Sequence, residues 1–466
     1  MDAAAIKNRI LSRKVFYALL FTVFIFTYME VLSVIDRFAG TVPELADGIF
    51  LHYLPAITRI IGYLSFFLSR KYITTEKNRR LVLMTASLLF LASALILIGF
   101  SDATALQLPG EAMIVSLFTL SLSIGHLGGL VYYLTSSATV TESRRGIFIG
   151  CSCAAAVLIQ FVLSPFMGVV TQLVAVTVLF VLISFLEIKP PADYVLEDAL
   201  PYAGDDPAFI SGVKWQLGMA MIIVLLGTIL ACRIDVAFSS MSFSGDLNLY
   251  SFPRLFIIPG YLIMGFAADA KDRRLFPAVF FVGILSSVTL IVMPFYDSGY
   301  YFFLSAYYLF IGFYVFYYTY SFMSLAPRTK HPELWASFGR PVSDFFTGVF
   351  IMLLLSTKGW AMTPIITVVA HFALLAAMGI VIMLGRVDPA VTPEETEDRL
   401  NVFLDRYPLT PREREVARYL IETEAPMKEI AADLAISERS VYRYSASIYE
   451  KTGSVGRNEL LRQYLE

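Results

Sequence analysis

The sequence predicts an all-α protein: a twelve-helix transmembrane bundle of two six-helix repeats, followed by a small soluble helical domain. Three observations predict it. The 466 residues are 57% hydrophobic and only 16% charged, with a mean hydropathy of +0.68, whereas soluble chains are about half apolar and about a quarter charged. The apolar excess is concentrated in runs of roughly 18–25 residues, the length an α-helix needs to cross about 30 Å of hydrocarbon. From Leu409 onward the runs stop, and apolar residues recur at the spacing of short amphipathic helices.

The runs begin near Val15, Gly48, Leu81, Ala112, Gly146, Gly168, Trp215, Leu249, Leu275, Tyr300, Pro341 and Met362. The fifth and sixth are the least separated, around Ser164 and Pro165. No small-residue cleavage site follows the first run, which therefore reads as a membrane helix and not as a signal peptide. Loop charge tests the count, because cytoplasmic loops collect Lys and Arg. One side gathers Lys7, Arg9, Arg13 and Lys14, then Arg70, Lys71, Lys77, Arg79 and Arg80, then Arg144 and Arg145. The same side continues with Lys189 and Lys214, then Lys271, Arg273 and Arg274, then Arg328, Lys330 and Arg340. The opposite loops hold Asp36, Glu44, Asp47, Asp102, Glu111, Asp246 and Asp297. The expectation is a multi-pass protein of the bacterial cytoplasmic membrane with both termini cytoplasmic.

A duplication is legible within the bundle. The second run reads Pro55-Ala-Ile-Thr-Arg-Ile-Ile-Gly62-Tyr63-Leu64, and the eighth reads Pro253-Arg-Leu-Phe-Ile-Ile-Pro-Gly260-Tyr261-Leu262. Ile35-Asp36 ends the first run as Ile234-Asp235 ends the seventh. Two matches in register point to a repeated six-helix unit. After the eighth run comes Gly265-Phe-Ala-Ala-Asp269-Ala-Lys271-Asp-Arg273-Arg274, which resembles the cytoplasmic loop signature of the major facilitator superfamily. The resemblance implies a gate in which Asp269, Arg273 and Arg274 pair across the cytoplasmic side. The first-half copy, around Ser69-Arg70-Lys71, lacks the Asp.

Two polar connections interrupt the bundle pattern. The first holds Pro190, Pro191, Pro201 and Pro207 among Asp193, Glu197, Asp198, Asp205 and Asp206. The second, from Val387 to Pro408, is rich in acid and proline. The expected organisation is a bundle over 1–386 with halves 1–188 and 213–386, a linker over 387–408, and a tail domain over 409–466.

In the tail, Pro411 opens a helix whose apolar face is Val416, Leu420 and Ile421. A short second helix offers Ile430, Ala431 and Leu434. Ser437 is a good N-cap for a third helix that runs to about Lys451. Two helices joined by a tight turn describe a helix-turn-helix. The segments Leu409-Thr-Pro-Arg-Glu-Arg-Glu-Val416, Lys428-Glu-Ile430-Ala-Ala-Asp-Leu434-Ala-Ile436-Ser437 and Lys451-Thr-Gly453 closely resemble the LuxR-type DNA-binding domain. That resemblance implies double-stranded DNA as a partner, with the third helix in the major groove and a homodimer on the DNA. Val441, Ile448 and Tyr444 face the core, leaving Arg439, Tyr442, Arg443 and Ala446 outward. Arg443 and Tyr442 are the expected base readers, and Lys428, Lys451 and Arg457 the expected phosphate contacts. The sequence departs from the family at Ser440-Val-Tyr442-Arg443-Tyr444, so the family's base preference does not transfer. From Leu409 onward about nine Lys or Arg face about ten acids, where nucleic-acid binders usually carry a positive excess.

No receiver domain precedes the tail, which leaves the bundle as the input. Ionisable residues inside membrane spans are costly and default to function. Glu30, His52, Arg59, His126, Arg233, Asp235, Arg254, Asp344 and His371 are such residues. In a facilitator-like bundle the first, fourth, seventh and tenth spans line the cavity. The expected ligand set is Tyr28, Glu30, Arg59, His126, Tyr133, Arg233, Asp235, Tyr314 and Tyr318, suited to a small aromatic or amphipathic molecule. Cys151, Cys153 and Cys232 lie in apolar runs with no His nearby and read as packing residues. Neither a cofactor nor a metal is expected, and no fingerprint of an enzyme is present. The reading is a membrane-embedded one-component transcription regulator; its rival is a transporter that carries a regulatory DNA-binding domain.

Overall fold

The computed structural model describes residues 3–39, 49–73, 75–101, 110–139, 144–188, 207–243, 251–270, 275–288, 299–356, 363–384, 400–423, 426–454 and 456–465. Among them every regular element is helical. The apolar runs become α1 (Ala3–Ala39), α2 (Ile49–Ser69), α3 (Glu76–Ser101), α4 (Gly110–Ala138), α5 (Arg145–Leu163) and α6 (Val169–Ile188). The second set is α7 (Pro207–Phe243), α8 (Ile257–Ala268), α9 (Leu275–Ser286), α10 (Tyr300–Leu325), α11 (Gly339–Ser356) and α12 (Thr363–Leu384). Eight stretches of the described residues are long and apolar enough to cross a membrane, and three further apolar helices are shorter. Their outer faces carry exposed Leu68, Leu88, Leu95, Phe166, Phe266 and Met383, apolar surface that water would not tolerate in such amount. The weak fifth boundary is a 3₁₀ turn, Ser164–Phe166, with Pro165 inside it. Proline has no N–H to continue the α-helical ladder.

The duplication reappears as a pair of equivalent helix crossings. A Cβ on Gly62 would stand 2.3 Å from the Leu122 carbonyl oxygen, and one on Gly260 would stand 2.9 Å from Gly312 Cα. Gly125 in turn rests on the Arg59 carbonyl and Gly312 on the Ile257 carbonyl. Arg59 and Ile257 each lie three residues before the partner glycine, so α2 meets α4 as α8 meets α10. Only glycine permits such backbone contact, the device by which membrane helices gain packing without a hydrophobic drive. The halves meet along two seams, α5 on α8 and α2 on α11, which the same two-fold relation exchanges. At the first seam Gly146 lies on the Gly265 carbonyl and Gly150 on that of Tyr261.

The chain divides into two compact units. One holds Tyr17–Ala199 and Ser211–Pro389; the other holds Ala390–Glu466 with Met1–Phe16 and Leu200–Ile210. The tail folds as α13 (Pro411–Glu422), α14 (Met427–Asp433), α15 (Glu438–Thr452) and α16 (Arg457–Leu465). Its core joins Val416, Ala417, Leu420, Ile430, Ala431, Val441, Ile448 and Leu460. Leu400, Phe403, Leu404 and Leu409 complete the same core. The tail's packing thus begins inside the segment expected as a linker to 408. Residues 400–405 are helical, and Leu400, Phe403 and Leu404 follow the i, i+3, i+4 spacing of one face; the acidic neighbours obscured it.

Two cations counted as loop residues are likewise buried. Arg79 and Arg145 are 3% and 4% exposed. Arg340 lies one residue inside α11, half-buried, and is flanked by the Tyr28 and Tyr318 rings.

Candidate DNA-reading surface and buried bundle site

Helix α13 starts in a complete capping box. The Thr410 hydroxyl accepts from the Glu413 amide and the Glu413 carboxylate accepts from the Thr410 amide, which satisfies two orphan donors together. Glu413 is buried and also receives the Ser447 hydroxyl at 2.7 Å and Lys451 Nζ at 2.6 Å. Burial alone would raise its carboxyl, but the Lys451, Thr410 and Ser447 hydrogen bonds outweigh that and hold it at about 2. This carboxylate ties α13 to α15 and fixes how α15 stands on the domain.

The turn between α14 and α15 is a Schellman cap. The Ile436 amide donates to the Ala431 carbonyl at 2.9 Å and the Ala435 amide to Ala432 at 3.2 Å. Ala435 sits in the left-handed region at φ 51°, a position where glycine is usual. Ser437 then caps α15 through the Ser440 amide, 3.1 Å away. The same cap recurs at the end of α15, with Gly453 at φ 70° and the Ser454 amide on the Tyr449 carbonyl at 2.9 Å.

One face of α15 buries Val441, Ser445, Ile448 and Thr452, and Tyr444 packs partly against the core. The opposite face exposes Arg439, Tyr442, Arg443 and Ala446, with the Arg443 guanidinium 5.3 Å over the Tyr444 ring. Lys428 is exposed on α14. Lys451 and Arg457, expected on phosphate, each also have a partner inside the domain. Lys451 holds Glu413, and Arg457 donates to the Leu420 and Thr423 carbonyls at the end of α13, where a cation also suits the helix dipole. Sequence spacing located both cations but not their partners, which lie far away in the chain.

In the bundle, the expected ligand residues separate into a cluster and several local contacts. The cluster centres on Tyr28. Arg59 of α2 donates Nε to Asp344 of α11 at 2.8 Å and lies 5.6 Å from the Tyr28 ring centre. Arg340 stands between the rings of Tyr28 and Tyr318, at 5.1 and 5.4 Å. Tyr318 packs edge-on against Tyr314, whose hydroxyl donates to the Val224 carbonyl at 2.9 Å and meets Thr228 at 2.7 Å. The cluster therefore joins α1, α2, α7, α10 and α11. Arg340 and Asp344 are cluster members that the expected ligand set omits; they lie one turn apart on the same helix face, a spacing that could have flagged Arg340 once Asp344 was noted as an ionisable residue inside a span.

The remaining residues lie in helix contacts. Glu30 accepts from the Gln172 amide nitrogen, with its other oxygen buried and unpartnered. His126 Nδ1 meets the Ser65 hydroxyl at 2.8 Å and its Nε2 has no partner. Tyr133 receives Arg70 at 3.3 Å beneath a cation–π contact. Arg254 donates to Gln160, and His371 meets Ser287 at 2.9 Å. The side chains of His52, Arg233, Asp235, Arg273 and Arg274 lie outside the described residues. Asp269 accepts from the Gly146 and Ile147 amides at 2.6 and 2.7 Å, so its described partner is the N-terminus of α5, where a carboxylate is favoured. Burial pushes its carboxyl up, and those two amides offset part of the rise. Beside it Arg145 donates to the Met323 carbonyl at 2.6 Å and to Ser136, linking α5 to the ends of α4 and α10. A shallow apolar groove lined by Phe252, Phe256, Tyr301 and Phe302 opens elsewhere on the bundle and carries no charged group.

Residues 407–463 match the family model described as bacterial regulatory proteins, luxR family. No curated protein matches the chain. Among solved structures, the E. coli fucose:proton symporter FucP is similar at 12% identity, over 80% of this chain and 99% of that one, with a TM-score of 0.49.

Proposed function

We propose that this protein is a membrane-embedded one-component transcription regulator, in which a small molecule bound in the helical bundle controls how the tail reads DNA. The observation that carries the reading is the pairing, in one chain, of a luxR-family domain at 407–463 with membrane-length helices that bury charged and aromatic side chains together. Arg443 and Tyr442 read base edges, flanked by Arg439 and Ala446, and Lys428 contacts phosphate. Both termini are cytoplasmic, the bundle occupies 1–386, and the tail acts as a homodimer, since one nearly neutral copy would hold DNA weakly. The parts are those of a regulator and not of an enzyme. The ligand acts by binding one arrangement of the two halves better than the other, the only means by which it can shift an equilibrium.

The test is occupancy of the promoter nearest the gene, read in cells with the wild type and with Arg443→Ala while small aromatic compounds are supplied. One compound should change occupancy with the wild type alone. Arg443→Ala should reduce discrimination between target and scrambled DNA by about 1–3 kcal/mol. Uptake of a compound into proteoliposomes with no change in occupancy would overturn the reading in favour of transport.

A further inference from the structure

Around Tyr28 the described side chains carry two guanidinium groups, Arg59 and Arg340, and one carboxylate, Asp344. That carboxylate is bonded to Arg59. Arg340 has no ion pair among the described residues; it lies against the Tyr28 and Tyr318 rings, donates a hydrogen bond to the Tyr132 side chain and has Tyr261 nearby. Its Nε is shut away from solvent with no acceptor. The hydroxyls of Tyr28 and Tyr63, residues 2% and 3% exposed, also lack partners. Guanidinium cannot escape burial by releasing its proton, as lysine or histidine can. Ring faces soften an enclosed cation but do not neutralise it. Among the described side chains the cluster is therefore short of one negative charge, and Tyr28, Tyr63 and Arg340 lie near enough to one another to act on the same group.

We infer that the bundle binds a small monocarboxylate with a flat apolar body. The carboxylate seats on Arg340, whose planar fork matches it; the Tyr28 and Tyr63 hydroxyls donate to it, and the body lies along the Tyr28 and Tyr318 rings. A cationic ligand would meet a site already positive, and a neutral amide would leave the charge uncompensated. The inference rests on the ligand-sensing reading above and narrows it.

The test uses the full chain in phosphatidylcholine nanodiscs, with thermal midpoint and binding followed for 3-phenylpropanoate, 3-phenylpropanamide and 3-phenylpropylamine. The carboxylate should raise the midpoint and bind at least about tenfold tighter than the amide, and the amine should not bind. Arg340→Gln should abolish carboxylate binding and, by removing a half-buried charge with no ion pair among the described residues, raise the ligand-free midpoint. Should Arg340→Gln fail to fold, Arg340→Lys carries the test: it keeps the charge, loses the fork, and should bind about tenfold more weakly. Equal binding of carboxylate and amide, unchanged binding in both variants, or no response to the carboxylate overturns the inference. A midpoint raised by phosphatidylglycerol nanodiscs and by no free carboxylate assigns the anion to lipid and overturns it too. An amide or amine that binds and changes promoter occupancy would sink the anion site while the regulator survives. Carboxylate binding through Arg340 with unchanged occupancy would do the reverse.

Discussion

Glu413 gathers the Thr410 amide, the Ser447 hydroxyl and the Lys451 ammonium on one buried carboxylate, and its titration is therefore linked to folding. Its folded value, about 2, lies below the ordinary 4.5. The unfolded chain takes up the proton first, so the stabilisation is complete above about pH 4.5 and disappears as pH falls through about 2. Denaturant melts of the tail at pH 6 and pH 2.5 should show a loss in the wild type that is mostly absent in Glu413→Gln; equal losses would show that other carboxylates control acid unfolding. Ala435 makes a second residue-scale case. A left-handed alanine costs about 1 kcal/mol relative to glycine, so Ala435→Gly should raise tail stability by about that amount in the same melts, and Gly453→Ala should lower it similarly. At this scale the sequence was legible where a local rule applied, as with the Thr410 and Ser437 caps. It was silent where a partner lay far along the chain: the ties of Lys451 to Glu413 and of Arg457 to the end of α13, and the rings around Arg340, are not legible because charge alone does not reveal what a side chain touches.

Helices were the most legible elements, since a run of apolar residues the width of a bilayer admits little else. Among the described residues eight helices are long and apolar enough to cross a membrane and three apolar ones are shorter. Boundaries were less so, and the tail's beginning shows why. Acid and proline around Val387–Pro408 read as linker, yet Leu400, Phe403 and Leu404 close the tail's core. Burying three such side chains contributes, as an upper bound, about 1.5–3 kcal/mol each. A fragment starting at Leu409 should therefore be several kcal/mol less stable than one starting at Leu400. Coincident urea midpoints for the two would mean that the 400–405 helix is only an appendage. The ordering also bears on α15: the surface it presents depends on a core closed from the bundle side of the sequence, so the link between membrane and DNA ends at Leu400 and not at the helix-turn-helix itself.

Across the whole bundle, the two seams between the halves are equivalent in topology but differently fastened. At α5 and α8 the fastening is close glycine packing with Asp269 over the first amides of α5. At α2 and α11 the first-half loop has no acid to match Asp269, and the tie is instead the Arg59–Asp344 pair, which lies beside the aromatic cluster. A ligand in that cluster would act on the second seam while leaving the first to serve as a pivot. The pair's energetics make this testable. Removing one partner of a buried ion pair strands the other charge, a loss of about 3–5 kcal/mol, whereas removing both is far milder. Asp344→Asn and Arg59→Gln should each lower the thermal midpoint of the full chain and abolish the ligand's effect on promoter occupancy, with the tail's affinity for DNA unchanged. The double variant should recover most of the midpoint and none of the ligand response, because stability needs the charges matched while switching needs them present. Additive losses in the double variant would mean that the two residues act separately and that the α2–α11 seam is not the one the ligand moves.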